Sequence, residues 1–267
     1  MGNKQGMRNA GGGGGSWGGN LTTVTYLQSF SVSAKENQPY DIDFKSDGTK
    51  LYVYGDQYDS VQEYDLSTAW DITSATWLQS TAMSAVAAYS ISFKADGTRL
   101  FRLNYSNKAV EYWDLSTAWD VTSKGSLVSW NVPTGSYLVG FTFNNEGTKF
   151  YITSLSGSNI YEYDLSTAWL PSSATLNQSV SVTTQDTSIW DTQFSSDGLK
   201  MYVAGNTNDK IYEYDLSTAW NISTKSYLRF FSLGTMLPSG FRFNNDGTKM
   251  YVLDNTTDTI KEYDLTI

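Results

Sequence analysis

The sequence predicts a five-bladed β-propeller, and three observations carry that prediction. The phrase Tyr64-Asp65-Leu66-Ser67-Thr68-Ala69-Trp70 returns at Trp113 to Trp119, Tyr163 to Trp169 and Tyr214 to Trp220, and a fifth copy begins at Tyr263. A second phrase keeps step with it: Asp47-Gly48-Thr49-Lys50, Asp96-Gly97-Thr98-Arg99, Glu146-Gly147-Thr148-Lys149, Asp197-Gly198-Leu199-Lys200 and Asp246-Gly247-Thr248-Lys249. Between the two phrases run short stretches of β-type alternation without helical periodicity, and Phe44, Phe93, Phe143, Phe194 and Phe243 recur at spacings of 49, 50, 51 and 49. Units of this length bury a core only by packing on their neighbours, and four strands per unit arranged radially close into a propeller.

Taken in order, residues 1–19 differ in kind from the rest. They hold nine glycines, including Gly11, Gly12, Gly13, Gly14 and Gly15, two basic residues and no acidic one. Such a tract cannot offset the entropy of ordering itself and reads as a linker or an assembly arm. The propeller occupies 20–267. It opens out of phase, because Asn20-Leu21-Thr22 to Ser29 matches Asp71-Ile72-Thr73 to Ser80. The first strand is thus expected to complete the last unit, whereas a solenoid would need capping ends. In the first full unit Tyr40, Ile42 and Phe44 alternate with Asp41 and Asp43, Asp47-Gly48 turns the chain, and Leu51 to Tyr54 is the second strand. Val61 to Leu66 is the third, and Thr76 to Ser80 the fourth.

Composition narrows the function. Apolar residues make up 40% and aromatics 15% of the chain, enough for a large core with flat rings between sheets. A net charge of −9 repels phosphate backbones and anionic lipid, so nucleic acid is not an expected partner. Without histidine or cysteine, catalysis would run on carboxylates, Tyr or Lys, and disulfides are absent. No apolar run is long enough to span a bilayer, so membrane insertion is not expected. Residues 1–19 lack the apolar stretch of a secretory signal.

Most recurring residues read as scaffold. Asp65, Asp114, Asp164, Asp215 and Asp264 stand before a Ser-Thr or Thr step, where a carboxylate accepts from following amides in an Asx-type turn. Trp70, Trp119, Trp169 and Trp220 are expected to fold onto an adjacent blade. Trp17, placed with the arm, is also near enough to supply the missing ring of the last unit. No metal site and no cofactor are expected, since one turn presents too few oxygens for calcium. Glu63, Glu162, Glu213 and Glu262 precede Tyr-Asp, but the second unit has Tyr112 there, which reads as drift.

Variation points to binding. The loops between second and third strands and the links between units differ in sequence throughout, and in an up-and-down blade both emerge on one face. Tyr58, Tyr105, Asn107, Asn159, Asn208 and Asp209 are the candidate ligand residues there, because amides, hydroxyls and exposed rings suit carbohydrate. Asp41, Asp43, Asp191 and Arg242 occupy equivalent inward places, together with Ser90, Ser92, Gly140, Thr142, Gln193 and Gly240. A central acid–base or metal site there is the enzymatic alternative.

The turn leading into Leu-Tyr-Val and the strand ending in Tyr-Asp resemble YVTN-type propeller repeats. The run Glu63 to Thr76 is similar to repeats in structural and tail-fibre proteins of marine bacteriophages. That resemblance covers 20–267 and implies a virion or extracellular structural protein; with the Gly-rich arm, the chain reads as a non-enzymatic protein that joins copies of itself or another surface protein through residues 1–19, and a lectin-type propeller binding cell-surface glycan is the alternative. Without a virion or an exported setting, the cytoplasm is the expected location. A lactonase-like hydrolase with a central metal is the further alternative.

Overall fold

The Asp-Gly phrase, Glu146-Gly147 in the third unit, closes a hairpin in every unit. In the first, Asp47 Oδ1 accepts from the amide and the hydroxyl of Thr49 (3.0 and 2.6 Å), and Gly48 takes a left-handed φ of 73°. The computed structural model describes Trp17, residues 19–84 and residues 86–266. β1 (Thr25–Ser31) comes first. Blade I holds β2 (Pro39–Phe44), β3 (Lys50–Gly55), β4 (Ser60–Leu66) and β5 (Ala75–Ala82). Blade II holds β6 (Ala88–Phe93), β7 (Arg99–Asn104), β8 (Ala109–Asp114) and β9 (Val128–Asn131). Blade III holds β10 (Leu138–Phe143), β11 (Lys149–Ser154), β12 (Asn159–Leu165) and β13 (Ala174–Ser181). Blade IV holds β14 (Ile189–Phe194), β15 (Lys200–Gly205), β16 (Lys210–Leu216) and β17 (Lys225–Ser232). Blade V holds β18 (Pro238–Phe243), β19 (Lys249–Asp254) and β20 (Thr259–Asp264).

Each blade is an antiparallel sheet in sequence order, and β1 pairs with β20 from Thr25↔Asp264 to Ser31↔Thr259, so the first strand completes blade V. The protein is a five-bladed β-propeller. The strands β2, β6, β10, β14 and β18 line the axis side by side. Apolar layers fill the spaces between blades. Ile42, Leu51, Val53 and Tyr64 of blade I, for example, pack with Tyr251, Leu253 and Ile260 of blade V.

The tryptophans clamp these layers. Trp70, Trp119, Trp169 and Trp220 all have φ between 62° and 68°, a strained region for a bulky side chain. Each is held there by its amide, as Trp70 N–H donates to Gly48 O at 2.9 Å. The ring covers that glycine so closely that a Cβ on Gly48 would lie 2.4 Å from the indole. It also reaches the preceding blade, where Tyr251 stacks on Trp70 and donates its hydroxyl to Trp70 O at 2.6 Å. In blade V this place is taken by Trp17, which lies over Gly247, meets Phe243 edge-on at 5.3 Å and donates Nε1 to the Tyr202 hydroxyl at 2.9 Å. Trp17 is engaged inside its own blade, so the propeller begins by residue 17. Gly11 to Gly15 lie outside the described residues.

The Asx-turn reading of the repeated aspartates needs correction. Asp65 lies directly across from Lys50 in the β3–β4 register, and Lys50 Nζ reaches it at 2.7 Å. Arg99–Asp114 and Lys200–Asp215 repeat the pair at 2.7 and 2.8 Å, and Lys149–Asp164 has the same geometry. Cross-strand neighbours outcompete sequence neighbours here. Asp264 alone of this set accepts from the amide two residues on, Thr266, at 2.8 Å. Asx-type turns start instead at positions such as Asp71, Asp120 and Asn221, which cap single 3-10 turns after the tryptophans.

The exception at Tyr112 has a counterpart on the facing blade. In four blades the glutamate before Tyr-Asp is a buried latch. Glu162 takes Lys149 Nζ at 2.6 Å on one oxygen, and on the other Gln178 at 2.6 Å and the amide of Ile222 in the next blade at 3.1 Å. Glu213 accepts likewise from Leu21 N–H at 3.1 Å. Opposite Tyr112 the position equivalent to Ile222 is Pro171, which has no amide hydrogen to offer. Val128 replaces the glutamine, Leu170 replaces the capping Asp or Asn, and Arg99 covers the Tyr112 ring at 4.1 Å. Acceptor and donor are both absent at this seam, whereas the other four carry the buried glutamate.

Candidate binding site at the axial channel

Midway along the axis the channel is closed by charge. Arg242 donates to Asp41 and Asp191 at 3.0 Å each and to the carbonyls of Ile91 and Phe241 at 2.9 and 2.8 Å, with Asp43 at 3.5 Å. The sequence placed these residues together, and the structure brings them together. Their remaining lone pairs are used as well. Asp41 Oδ2 accepts from Ser90 Oγ and Ile91 N–H, and Asp43 Oδ2 from Phe93 N–H, tying blade I to blade II. Asp191 Oδ2 accepts from Phe241 N–H, tying blade IV to blade V. Among the described residues no group of three carboxylates is placed to hold a metal ion.

Burial pushes the Asp41 carboxyl up to about 7, against the pull of Arg242 and with the help of the Asp191 charge. Asp43 and Asp191 are raised too, again by burial. An acid whose pKa is raised on folding stabilises the fold most below its unfolded value, ordinarily 3.8, and that contribution is lost as pH climbs through the folded value. We therefore expect the melting temperature to fall between pH 4 and about 7 and the Asp41→Asn variant to show a flatter profile. A wild-type curve that rises across this window would contradict the assignment.

Two cavities flank the plug. On the face of the Asp-Gly turns one of about 240 Å³ is lined by Asp43, Ser92, Thr142, Gln193 and the inner edges of Trp70, Trp119 and Trp169. The other mouth, on the variable face, carries aromatic rings. Tyr89 is the hub, meeting Tyr40 at 4.7 Å, Tyr105 at 4.9 Å and Trp190 at 5.7 Å, and Tyr105 continues to Tyr137 at 6.2 Å. A β-bulge explains three of these rings. Every inner strand slips register at one residue: Tyr40, Tyr89, Val139, Trp190 and Ser239. The extra residue leaves the ladder and re-aims its side chain. Tyr40 consequently departs from the core alternation expected for it, while Ile42 and Phe44 keep theirs. Tyr137 is 58% exposed at a φ of 54°, an unfavourable backbone holding an aromatic ring in solvent.

A cavity of about 210 Å³ lies between Tyr40 and Trp190, closed by Asn206, Leu237, Pro238, Ser239 and Asn255. Of the candidates read from sequence, Tyr105 belongs to this mouth. Tyr58 stands at the rim of blade I beside Lys35 and Trp77. Asn107 and Asn159 brace their own loops, Asn107 N–H donating to Asn104 Oδ1 and Asn159 Nδ2 to Ser156 O, whereas Asn208 Nδ2 ties its loop to Gln185 O in the link before β14. Asp209 holds a left-handed φ of 51°, as Asp59, Lys108, Ser158 and Asp258 do at the same place, and its carbonyl accepts from Leu233 N–H. The loops that differ in sequence therefore share this backbone feature. Tyr40, Tyr89, Trp190 and Asn206 were missed, although aligning the units shows an aromatic residue just before the inward position in three of five.

No family model matches the sequence, and no curated protein matches it. Among solved structures 1227 chains match. One is a candidate 6-phosphogluconolactonase from Bacteroides fragilis, at 12% identity and a TM-score of 0.58, the match covering 85% of this chain and 80% of that one. Another is a functionally unknown protein from Desulfotomaculum acetoxidans, at 14% identity and a TM-score of 0.49, covering 81% of this chain and 62% of its own length. The likeness is one of fold. At these identities a shared propeller carries no activity with it, so function has to be argued from the site.

Proposed function

We propose that this propeller is a non-enzymatic adhesion protein that binds carbohydrate at the aromatic mouth of its variable face. The observation that carries the reading is the cluster Tyr40, Tyr89, Tyr105, Tyr137 and Trp190, drawn from three blades and a link to one point on the axis. Ring faces pack on the C–H faces of sugars, and phenol hydroxyls and amides pair with sugar hydroxyls. The opposite cavity is less suited, because the charged groups beneath it already pair with each other and with backbone. The hydrolase alternative needs free carboxylates at the centre, and Arg242 occupies all three.

A glycan array tests this. The wild-type chain is expected to bind a defined set of glycans, and Tyr89→Ala to lose at least about tenfold in affinity, as for a central aromatic anchor, with its melting temperature little changed. An array with no binding removes the reading.

The phage-fibre resemblance adds a setting: display through residues 1–16 on a virion or surface structure. Since Trp17 belongs to blade V, the informative truncation stops at residue 16. We expect the full chain to form oligomers or filaments by light scattering and the truncated chain to be a folded monomer. Equal masses would contradict an assembly role for the arm.

A further inference from the structure

Resting on the carbohydrate reading, we infer that the mouth recognises a 2-acetamido sugar, whose acetamido group enters the cavity between Tyr40 and Trp190. The cavity is a gap in a ring. Blades I, II and IV place Tyr40, Tyr89 and Trp190 at the bulge of the inner strand, whereas blade V places Ser239 there. Blade III also lacks a ring, with Val139 at the bulge, but there Tyr89 and Trp190 meet across the space at 5.7 Å. At blade V nothing fills it. A space of about 210 Å³ is left, bordered by Leu237 and Pro238 where the chain enters β18. That is smaller than a typical drug-sized site and suits one substituent with part of its sugar ring.

The lining selects the group. No Asp, Glu, Lys or Arg borders the cavity, so an ammonium or a carboxylate would enter it without a counter-charge, at far greater cost than a neutral group. Its free polar atoms are of both kinds. Asn206 Oδ1 is a buried acceptor with no partner among the described residues. Asn255 commits its amino group to Pro39 O at 2.9 Å, which leaves its carbonyl oxygen as a second acceptor. On the donor side, Asn206 Nδ2, Trp190 Nε1 and the Tyr40 hydroxyl have no protein partner among the described residues. An acetamido group brings one N–H and one C=O, the complement of such a set. Its methyl separates it from a hydroxyl. Leu237 and Pro238 present aliphatic carbon in the same cavity, which a methyl covers and a hydroxyl leaves against a polar atom.

Three β-1,4-linked tetrasaccharides that differ only at C2 test the inference by titration calorimetry on the full chain: N-acetylglucosamine, glucose and glucosamine. The N-acetylglucosamine oligomer should bind at least about tenfold tighter than either of the others, the range of one net hydrogen bond with one buried methyl. Asn206→Ala should weaken that oligomer at least about fivefold and leave the glucose oligomer within about twofold, at an unchanged melting temperature. Ser239→Tyr, which supplies the missing ring, should likewise abolish the preference. Equal or tighter binding of the glucose or glucosamine oligomer overturns the inference while leaving the carbohydrate reading in place, as does an array on which the bound glycans carry no acetamido group. Equal weakening of all oligomers by Asn206→Ala would take the acetamido group out of this cavity and also overturn it. Binding of none of the three overturns it as well, and a blank glycan array beside that result removes the broader reading too.

Discussion

Replacing Arg242 with methionine is expected to cost about 3–5 kcal/mol at neutral pH, the usual range for removing one partner of a buried ion cluster. The substitution leaves Asp41, Asp43 and Asp191 buried on the axis with no counter-charge, and strips donors from the carbonyls of Ile91 and Phe241. The loss should shrink in acid. Without the guanidinium the three carboxyls bind protons more tightly still, so lowering pH neutralises the group and recovers stability. Urea melts of wild type and variant at several pH values measure this. A variant as stable as wild type at neutral pH would show that Arg242 does not hold the centre.

The second large effect concerns the latch between blades. Glu162→Ala should cost about 3 kcal/mol, the low end for a broken buried pair because Lys149 keeps Asp164 and is partly in water. The Ile222 amide is left without its acceptor. Tyr112→Phe, at the equivalent place in blade II, should change stability by less than about 0.5 kcal/mol, since the ring and its contact with Arg99 remain. The seam can be tested as a pair. Pro171→Ile and Tyr112→Glu should each destabilise, one by creating an amide with no acceptor and the other by burying a carboxylate with no amide. Together they should cost less than their sum by about 1 kcal/mol. Strict additivity would mean that the two exceptions are unrelated.

How much of this was legible in the sequence varies by element. The five units, the closure through β1 and the central grouping of Asp41, Asp191 and Arg242 follow from phase alone, because a repeat places equivalent residues on equivalent strands. What phase does not show is register across a strand pair. Asp65 reads as a local turn until Lys50 is seen opposite it, fifteen residues back along the chain. Contacts between units are hidden for the same reason: Tyr112 and Pro171 look like separate exceptions until they face each other. The aromatic mouth was obscured by bulges, since strict alternation assigns Tyr40 to the core and one extra residue sends it to the axis. Loop variability pointed to the face that carries the aromatic mouth, yet of the polar loop residues chosen there Asn107 and Asn159 fasten their own turns and Asn208 ties its loop to a neighbouring link.

Chemical-shift mapping of the nine tryptophan indoles during titration with the tightest glycan from the array tests the central claim most directly. The account predicts that the Trp190 indole and the side-chain amides of Asn206 and Asn255 shift, while Trp70, Trp119, Trp169 and Trp220, on the opposite face, do not. Shifts confined to those four tryptophans would place the ligand beneath Arg242 and contradict it.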